Sequence, residues 1–139
     1  PHVVSLPRTG LSGPPTGMAD FIKELNDKGY KASVASASKN APFILDQLGL
    51  TDSFVGIVDP ATLHAGKPDP EIFVRAAEIL NLPPEQVIGL EDAASGIQAI
   101  NGAGEVSLGI GNAEILHDAD IRFESTADVT LANIAAKLD

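Results

Sequence analysis

Val87-Ile88-Gly89-Leu90-Glu91-Asp92-Ala93-Ala94-Ser95-Gly96-Ile97 is the stretch on which the reading of this chain turns. It opens as a short apolar run, breaks into two adjacent carboxylates, and continues into small residues with Ile97 and Ile100 at helical spacing. That pattern reads as strand, acidic turn and helix. In an open α/β sheet, ligands gather beyond the carboxyl ends of the strands, so Glu91 and Asp92 should stand at the mouth of a site. Neighbouring carboxylates repel one another unless a cation lies close by. A hard divalent ion such as Mg2+, held by one or two carboxylates with water and a substrate phosphate completing its shell, would relieve that repulsion. The ordinary alternative is that one carboxylate caps the helix beginning near Ala93 while the other points into solvent.

Working outward toward the C-terminus, the helix should run to about Ala103 and stop at Gly104. Glu105 to Ile110 then forms a strand ending in Gly111-Asn112, Ile121 to Phe123 a short edge strand, and Leu131 to Leu138 a final helix. On the N-terminal side, Asn81-Leu82-Pro83-Pro84 is a turn. Before it, Asp69 is a good N-cap with Pro70 at the first helical position, which predicts a helix over Glu71 to Leu80 with Phe73, Ala76, Ala77 and Leu80 as its buried stripe. Phe54 to Val58 is a strand followed by a turn at Asp59-Pro60. Tyr30 to Ala35 is another strand, leading into a helix through Phe43, Ile44, Leu45 and Leu48 that Gly49 closes. Met18, Phe21, Ile22 and Leu25 recur at helical spacing within Met18 to Lys28, and Gly29 supplies the stop. Pro1 to Gly17 crowds Pro7, Pro14 and Pro15 with Gly10, Gly13 and Gly17, so only His2 to Leu6 has the makings of a brief strand.

Strands alternating with helices of about ten residues argue for βαβ units. The expected fold class is therefore α/β, a Rossmann-like parallel sheet with helices on both faces. Residues 1–17 are read as an irregular N-terminal segment and residues 18–139 as one core domain, a division that suits a chain of 139 residues. Nineteen acidic residues against nine basic ones give a net charge of −10, which argues against nucleic acid and anionic membrane as partners. A negatively charged substrate then requires local lysines or a bound cation to reverse the field. With no cysteine, disulfides, thiolate metal sites and a thiol nucleophile are excluded. No run of about 18 apolar residues is present and no secretory pattern opens the chain, so a cytoplasmic location is the expectation.

Three strand ends carry polar clusters: Ser36 with Ser38, Lys39 and Asn40; Lys67; and Glu91 with Asp92. A parallel sheet brings all three to one edge. Hydroxyls and backbone N–H groups at a strand-to-helix turn suit phosphate oxygens, and a lysine adds a point charge beside them. Carboxylate-held Mg2+ would neutralise the other side, completing the parts that phosphoryl transfer needs. Taken singly, Ser36, Ser38 and Asn40 are also ordinary helix caps, and Lys67 an ordinary surface lysine.

In these residues the chain resembles the haloacid dehalogenase-like superfamily, and within it the β-phosphoglucomutases, over roughly Met18 to Asp139. The resemblance rests on Ala35-Ser36-Ala37-Ser38-Lys39-Asn40, on Gly66-Lys67-Pro68-Asp69-Pro70-Glu71-Ile72-Phe73 and on Gly89-Leu90-Glu91-Asp92. Val58-Asp59-Pro60-Ala61-Thr62-Leu63 and Ser125-Thr126-Ala127-Asp128-Val129-Thr130-Leu131 add to it. It implies that Ser36, the Ala37 backbone and Lys67 hold the transferring phosphate, with Ser36 and Lys67 in catalytic roles, and that Ser38, Lys39 and Asn40 hold the second phosphate of a sugar bisphosphate. Glu91 and Asp92 would bind Mg2+. The implied activity is an isomerase of carbohydrate metabolism that interconverts β-D-glucose 1-phosphate and glucose 6-phosphate through a phospho-aspartyl enzyme. The implied partner is a small sugar phosphate, the implied state a monomer, and the Lys67-Pro68 bond should be cis. A phosphatase of a small phosphomonoester and a non-catalytic phosphate- and Mg2+-binding domain are the alternatives.

The chain departs from the family at one place. The Asp-x-Asp-Gly motif that ends the family's central strand, and that supplies the nucleophile and the general acid and base, is missing. The one candidate for that strand, His2-Val3-Val4-Ser5-Leu6-Pro7, has serine and proline where carboxylates are needed. Asp20, Asp52 and Asp59 suit a helix start and two turns, while His2, His64 and His117 are too scattered for a metal site. No counterpart of the family's helical cap domain is present. The expectation is an incomplete piece of a longer enzyme, because loss of a central strand would expose edges and core; the other option is a variant domain without turnover.

Overall fold

A computed structural model of the chain describes residues 3–7, 18–35, 41–47, 49 and 51–138. Among these residues, six strands form a parallel sheet: β1 (Val3–Pro7), β2 (Ala32–Ala35), β3 (Gly56–Ile57), β4 (Val87–Glu91), β5 (Val106–Ile110) and β6 (Ile121–Phe123). Their spatial order is β3-β2-β1-β4-β5-β6. The chain thus winds outward from β1 through β2 to β3, returns to the other side of β1, and continues through β4 and β5 to β6. The switch of direction falls between β1 and β4, the place where open α/β sheets form their ligand crevice.

Val3–Pro7 fills the centre of the sheet, with Val4 opposite Ala32 on one side and Ile88 on the other. This corrects the expectation that a central strand is lost: the strand is present, and it carries serine and proline instead of carboxylates. It also ties part of the segment read as irregular into the core sheet.

Among the described residues, five helices accompany the sheet: α1 (Met18–Asp27), α2 (Ala41–Gln47), α3 (Glu71–Leu80), α4 (Ala94–Gly102) and α5 (Leu131–Leu138). One face of the sheet packs Phe21, Ile22 and Leu25 of α1 and Ile134 of α5 over Val34, Ile88, Leu90 and Leu108. The other packs Ile72, Phe73 and Ala76 of α3 and Ile97 and Ile100 of α4 around Ala35 and Val58. Strand residues on this second face are small, because the helices sit close. A β-carbon on Gly89 would stand 2.7 Å from the Ile100 side chain, and the buried Ser33 hydroxyl donates to the Ala76 carbonyl at 3.0 Å. With both faces covered, β4 is buried at every position, the pattern of a parallel strand inside a doubly covered sheet.

Local signals set the element ends. Asp69 Oδ1 accepts the Glu71 N–H at 3.0 Å, and Pro70 already has helical angles, so α3 starts as its cap predicts. The expected stripe of Phe73, Ala76, Ala77 and Leu80 is buried. Gly29 and Gly104 adopt φ of +80° and +81°, the left-handed conformation that lets the following N–H groups, of Tyr30 and Glu105, turn back to the carbonyls of Leu25 and Ile100. Those same bonds shorten the expected strands, since Tyr30 and Glu105 spend their N–H groups on the helix before them. β3 is limited to Gly56–Ile57 by 3-10 turns at Thr51–Ser53 and Pro60–Thr62. None of the described helices is long and apolar enough to cross a membrane.

Candidate functional site

The carboxyl ends of β1, β2 and β4 lie side by side, and Lys67 arrives there from the loop between β3 and α3. Lys67 Nζ is 2.7 Å from Glu91 Oε2 and 5.6 Å from the centroid of the Phe73 ring. The Lys67-Pro68 bond is cis, as the family resemblance implies. Glu91 is buried, and its second oxygen accepts the N–H groups of Asp92 at 3.0 Å and Ala93 at 3.3 Å. Burial pushes the Glu91 carboxyl above its ordinary range, and the Asp92 side chain pushes the same way, against the pull of the Lys67 ammonium.

The acidic turn departs from the ordinary alternative in its capping. Glu91 does not cap α4; it binds the two amides of the turn itself, and the N-cap position, Ala93, has no side-chain cap. Gly96 in the first turn of α4 makes the room: a β-carbon there would fall 2.0 Å from Glu91 Oε2. The Asp92 side chain is exposed beside this buried pair.

Among the described residues, no group of three or more potential ligands comes together. Even so, the donor set suits a hard divalent ion, which is commonly held by one or two carboxylates with water and phosphate oxygens supplying the rest. A cation at this turn would also offset the cost of burying Glu91 next to Asp92.

Ser36, Ala37, Ser38, Lys39 and Asn40, expected to grip phosphate, lie outside the described residues. β2 ends at Ala35, in register with Pro7 of β1. Asp20 lies in the first turn of α1 and Asp52 in a 3-10 turn, while Asp59 caps another by accepting the Ala61 N–H at 3.0 Å. None of the three substitutes for the missing motif. His64 and His117 are both surface residues, each beside a carboxylate, at 82% and 70% side-chain exposure.

Two carboxylates escaped sequence reasoning. Glu71 was read only as part of a helix start, yet it accepts hydrogen bonds from the loop that carries Lys67. Glu105 was read as a strand residue; it is buried, and neither of its side-chain oxygens has a hydrogen-bond partner among the described residues. A cavity of about 230 Å³ between α1 and the approach to α5, lined by Asp20, Phe21, Glu24, Ala127, Val129 and Thr130, includes none of the candidate site residues.

The doubly wound parallel sheet, with an ammonium and paired carboxylates gathered at its switch point, defines a Rossmann-like α/β protein with a charged site at its strand ends. The chain belongs to the haloacid dehalogenase-like hydrolase family, whose profile matches residues 12–104. It is 42% identical over 115 residues to beta-phosphoglucomutase of Bacillus subtilis, covering 83% of this chain and 51% of that protein. It is 32% identical over 90 residues to a phosphorylated carbohydrates phosphatase of Thermotoga maritima, covering 63% of this chain and 42% of that one. The crystal structure of beta-phosphoglucomutase from Clostridium difficile superposes with a TM-score of 0.86 at 38% identity, over 88% of this chain and 55% of that one. The chain thus spans about half the length of these mutases.

Proposed function

We propose that the chain is the phosphate- and Mg2+-holding core of a sugar-phosphate mutase that interconverts β-D-glucose 1-phosphate and glucose 6-phosphate, the phosphoryl-accepting carboxylate lying outside Val3–Pro7. The observation that carries this reading is the meeting of Lys67 with Glu91, at 2.7 Å, beside Asp92 at the switch point of the sheet. Mutase relatives in two bacteria support it.

Lys67 would draw the transferring phosphate by its charge, with Ser36 and the Ala37 backbone donating to the phosphate oxygens. Ser38, Lys39 and Asn40 would hold the other end of the sugar bisphosphate. Glu91 and Asp92 would hold Mg2+, which when bound supplies neutralising charge to the phosphoryl group. Burial of Glu91, and in part of Lys67, strengthens their charges relative to water, the condition under which fixed groups stabilise a transition state.

A phosphatase reading is favoured by the Thermotoga maritima relative, and a binding domain without turnover by the absence of carboxylates from Val3–Pro7. Incubation of the purified protein with Mg2+, β-glucose 1-phosphate and a trace of glucose 1,6-bisphosphate separates the three. Glucose 6-phosphate supports the mutase, and free phosphate supports the phosphatase. Thermal stabilisation by Mg2+ and sugar phosphate without product supports the binding domain. A protein that neither reacts nor is stabilised overturns all three.

A further inference from the structure

Lys67 stands in the connection of thirteen residues between β3 and α3, and such a connection does not by itself hold a side chain to the tolerance a phosphate contact needs. Its contact with Glu91 is also an insufficient anchor, because an arriving phosphate competes with Glu91 for the same ammonium. A fixed Lys67 needs ties to its backbone that the ligand leaves alone.

Glu71 makes those ties. From the first turn of α3 its Oε1 accepts the backbone N–H groups of His64 and of Ala65, the latter at 3.0 Å, while Oε2 lies 2.8 Å from His64 Nδ1. Arg75, one turn along the helix, brings Nη2 to 3.7 Å of the same oxygen. Residues 64 to 71 are thereby closed into a ring with Lys67 inside it, and within the ring the Asp69 N–H donates to the Gly66 carbonyl at 3.0 Å. α3 contributes the floor as well, since Phe73, two residues past Glu71, lies under the Lys67 ammonium. The bond to His64, followed by those to the two backbone N–H groups, holds the Glu71 carboxyl down at about 2.

We infer that Glu71 is a positioning residue for Lys67: it fixes the backbone of the Lys67 loop, so that the ammonium faces the strand ends whether or not Glu91 is its partner. This rests on the proposed role of Lys67 in holding phosphate, and the test separates the two. Affinity for inorganic phosphate in the presence of Mg2+ is measured by calorimetry for the wild type, Lys67→Ala, Glu71→Ala, Glu71→Gln and the Lys67→Ala/Glu71→Ala double variant. The expected result is a loss of ~10-fold or more for Lys67→Ala and of about 3- to 10-fold for Glu71→Ala, with the second change adding less than about 2-fold once Lys67 is gone. Glu71→Gln keeps an oxygen for the two backbone N–H groups and should recover most of the affinity, and it stands in if Glu71→Ala does not fold. Additive losses, or a Glu71→Ala protein that binds like the wild type, overturn the positioning role while leaving Lys67 in place. Failure of Lys67→Ala to weaken binding, or no phosphate binding by the wild type, overturns the site reading and this inference with it.

Discussion

Gly96 of α4 lies so close beneath Glu91 of β4 that a β-carbon there would stand 2.0 Å from Glu91 Oε2 and 2.0 Å from its Cγ. Inside a helix, Gly→Ala ordinarily stabilises by roughly 1 kcal/mol. Here the clash and the displaced Glu91 bonds outweigh that gain. Gly96→Ala should lose about 3 kcal/mol of stability in chemical denaturation, together with Mg2+ affinity. Unchanged stability would show that Glu91 swings aside freely.

Lys67→Met leaves Glu91 buried without its cation. Because the Lys67 side chain is 23% exposed and Glu91 only 3%, the expected loss at neutral pH is about 2–3 kcal/mol, below that of a fully buried pair. The loss should shrink as the pH falls and Glu91 takes up a proton. Adding Glu91→Gln should restore most of the stability, and a double variant as weak as the single one would refute this account of the pair. In turnover, Lys67→Ala should cost about 10² in rate.

Asp92 is the exposed member of the carboxylate pair and the one whose removal disturbs the fold least. Asp92→Asn should keep the melting temperature measured without metal, lose the upward shift that Mg2+ gives the wild type, and abolish Mg2+-dependent turnover. A Mg2+ shift equal to that of the wild type would remove Asp92 from the metal site.

Glu105 sets a pH dependence away from the site. Desolvation raises its carboxyl from 4.5 to about 8, so the folded protein binds this proton more tightly than the unfolded chain does. The stabilising effect of the raised value is complete below about pH 4.5 and is lost as the pH rises to about 8. At roughly 1.4 kcal/mol per unit, the loss across that window is on the order of 5 kcal/mol. Glu105→Gln should remove this slope from a plot of unfolding free energy against pH. Parallel wild-type and variant curves would mean that the carboxylate finds solvent or a partner.

What could be read in advance was whatever neighbouring residues decide. α3 has the bounds expected of it, because a cap, a proline and a left-handed asparagine act within one turn of chain, and the bounds of β6 and α5 also match. The convergence of Lys67 and Glu91 at one edge followed from parallel topology, but their direct bond did not, since it depends on how far a loop reaches. Gly96 and Glu71 were invisible for the same reason: one is defined by the side chain above it, the other by amides seven and six residues back. β1 is legible only as a brief strand over His2 to Leu6, because the prolines and glycines that follow it read as loop. Pro7 is tolerated at its last position, beyond the Val3–Ser5 stretch that pairs with β4.

That placement of β1 bears on how the chain folds. β4 and β5 are joined by a single short helix and can pair early, whereas Val3 meets Val87 only after most of the intervening chain has been looped out. Closing so long a loop slows the step, as contact order predicts. Until residues 3–7 slot in, β2 and β4 present facing rows of unpaired backbone groups, a gap shaped to take a strand from another molecule. Yield on refolding should therefore fall with protein concentration, set by a race between β1 of the same chain and β1 of a neighbour.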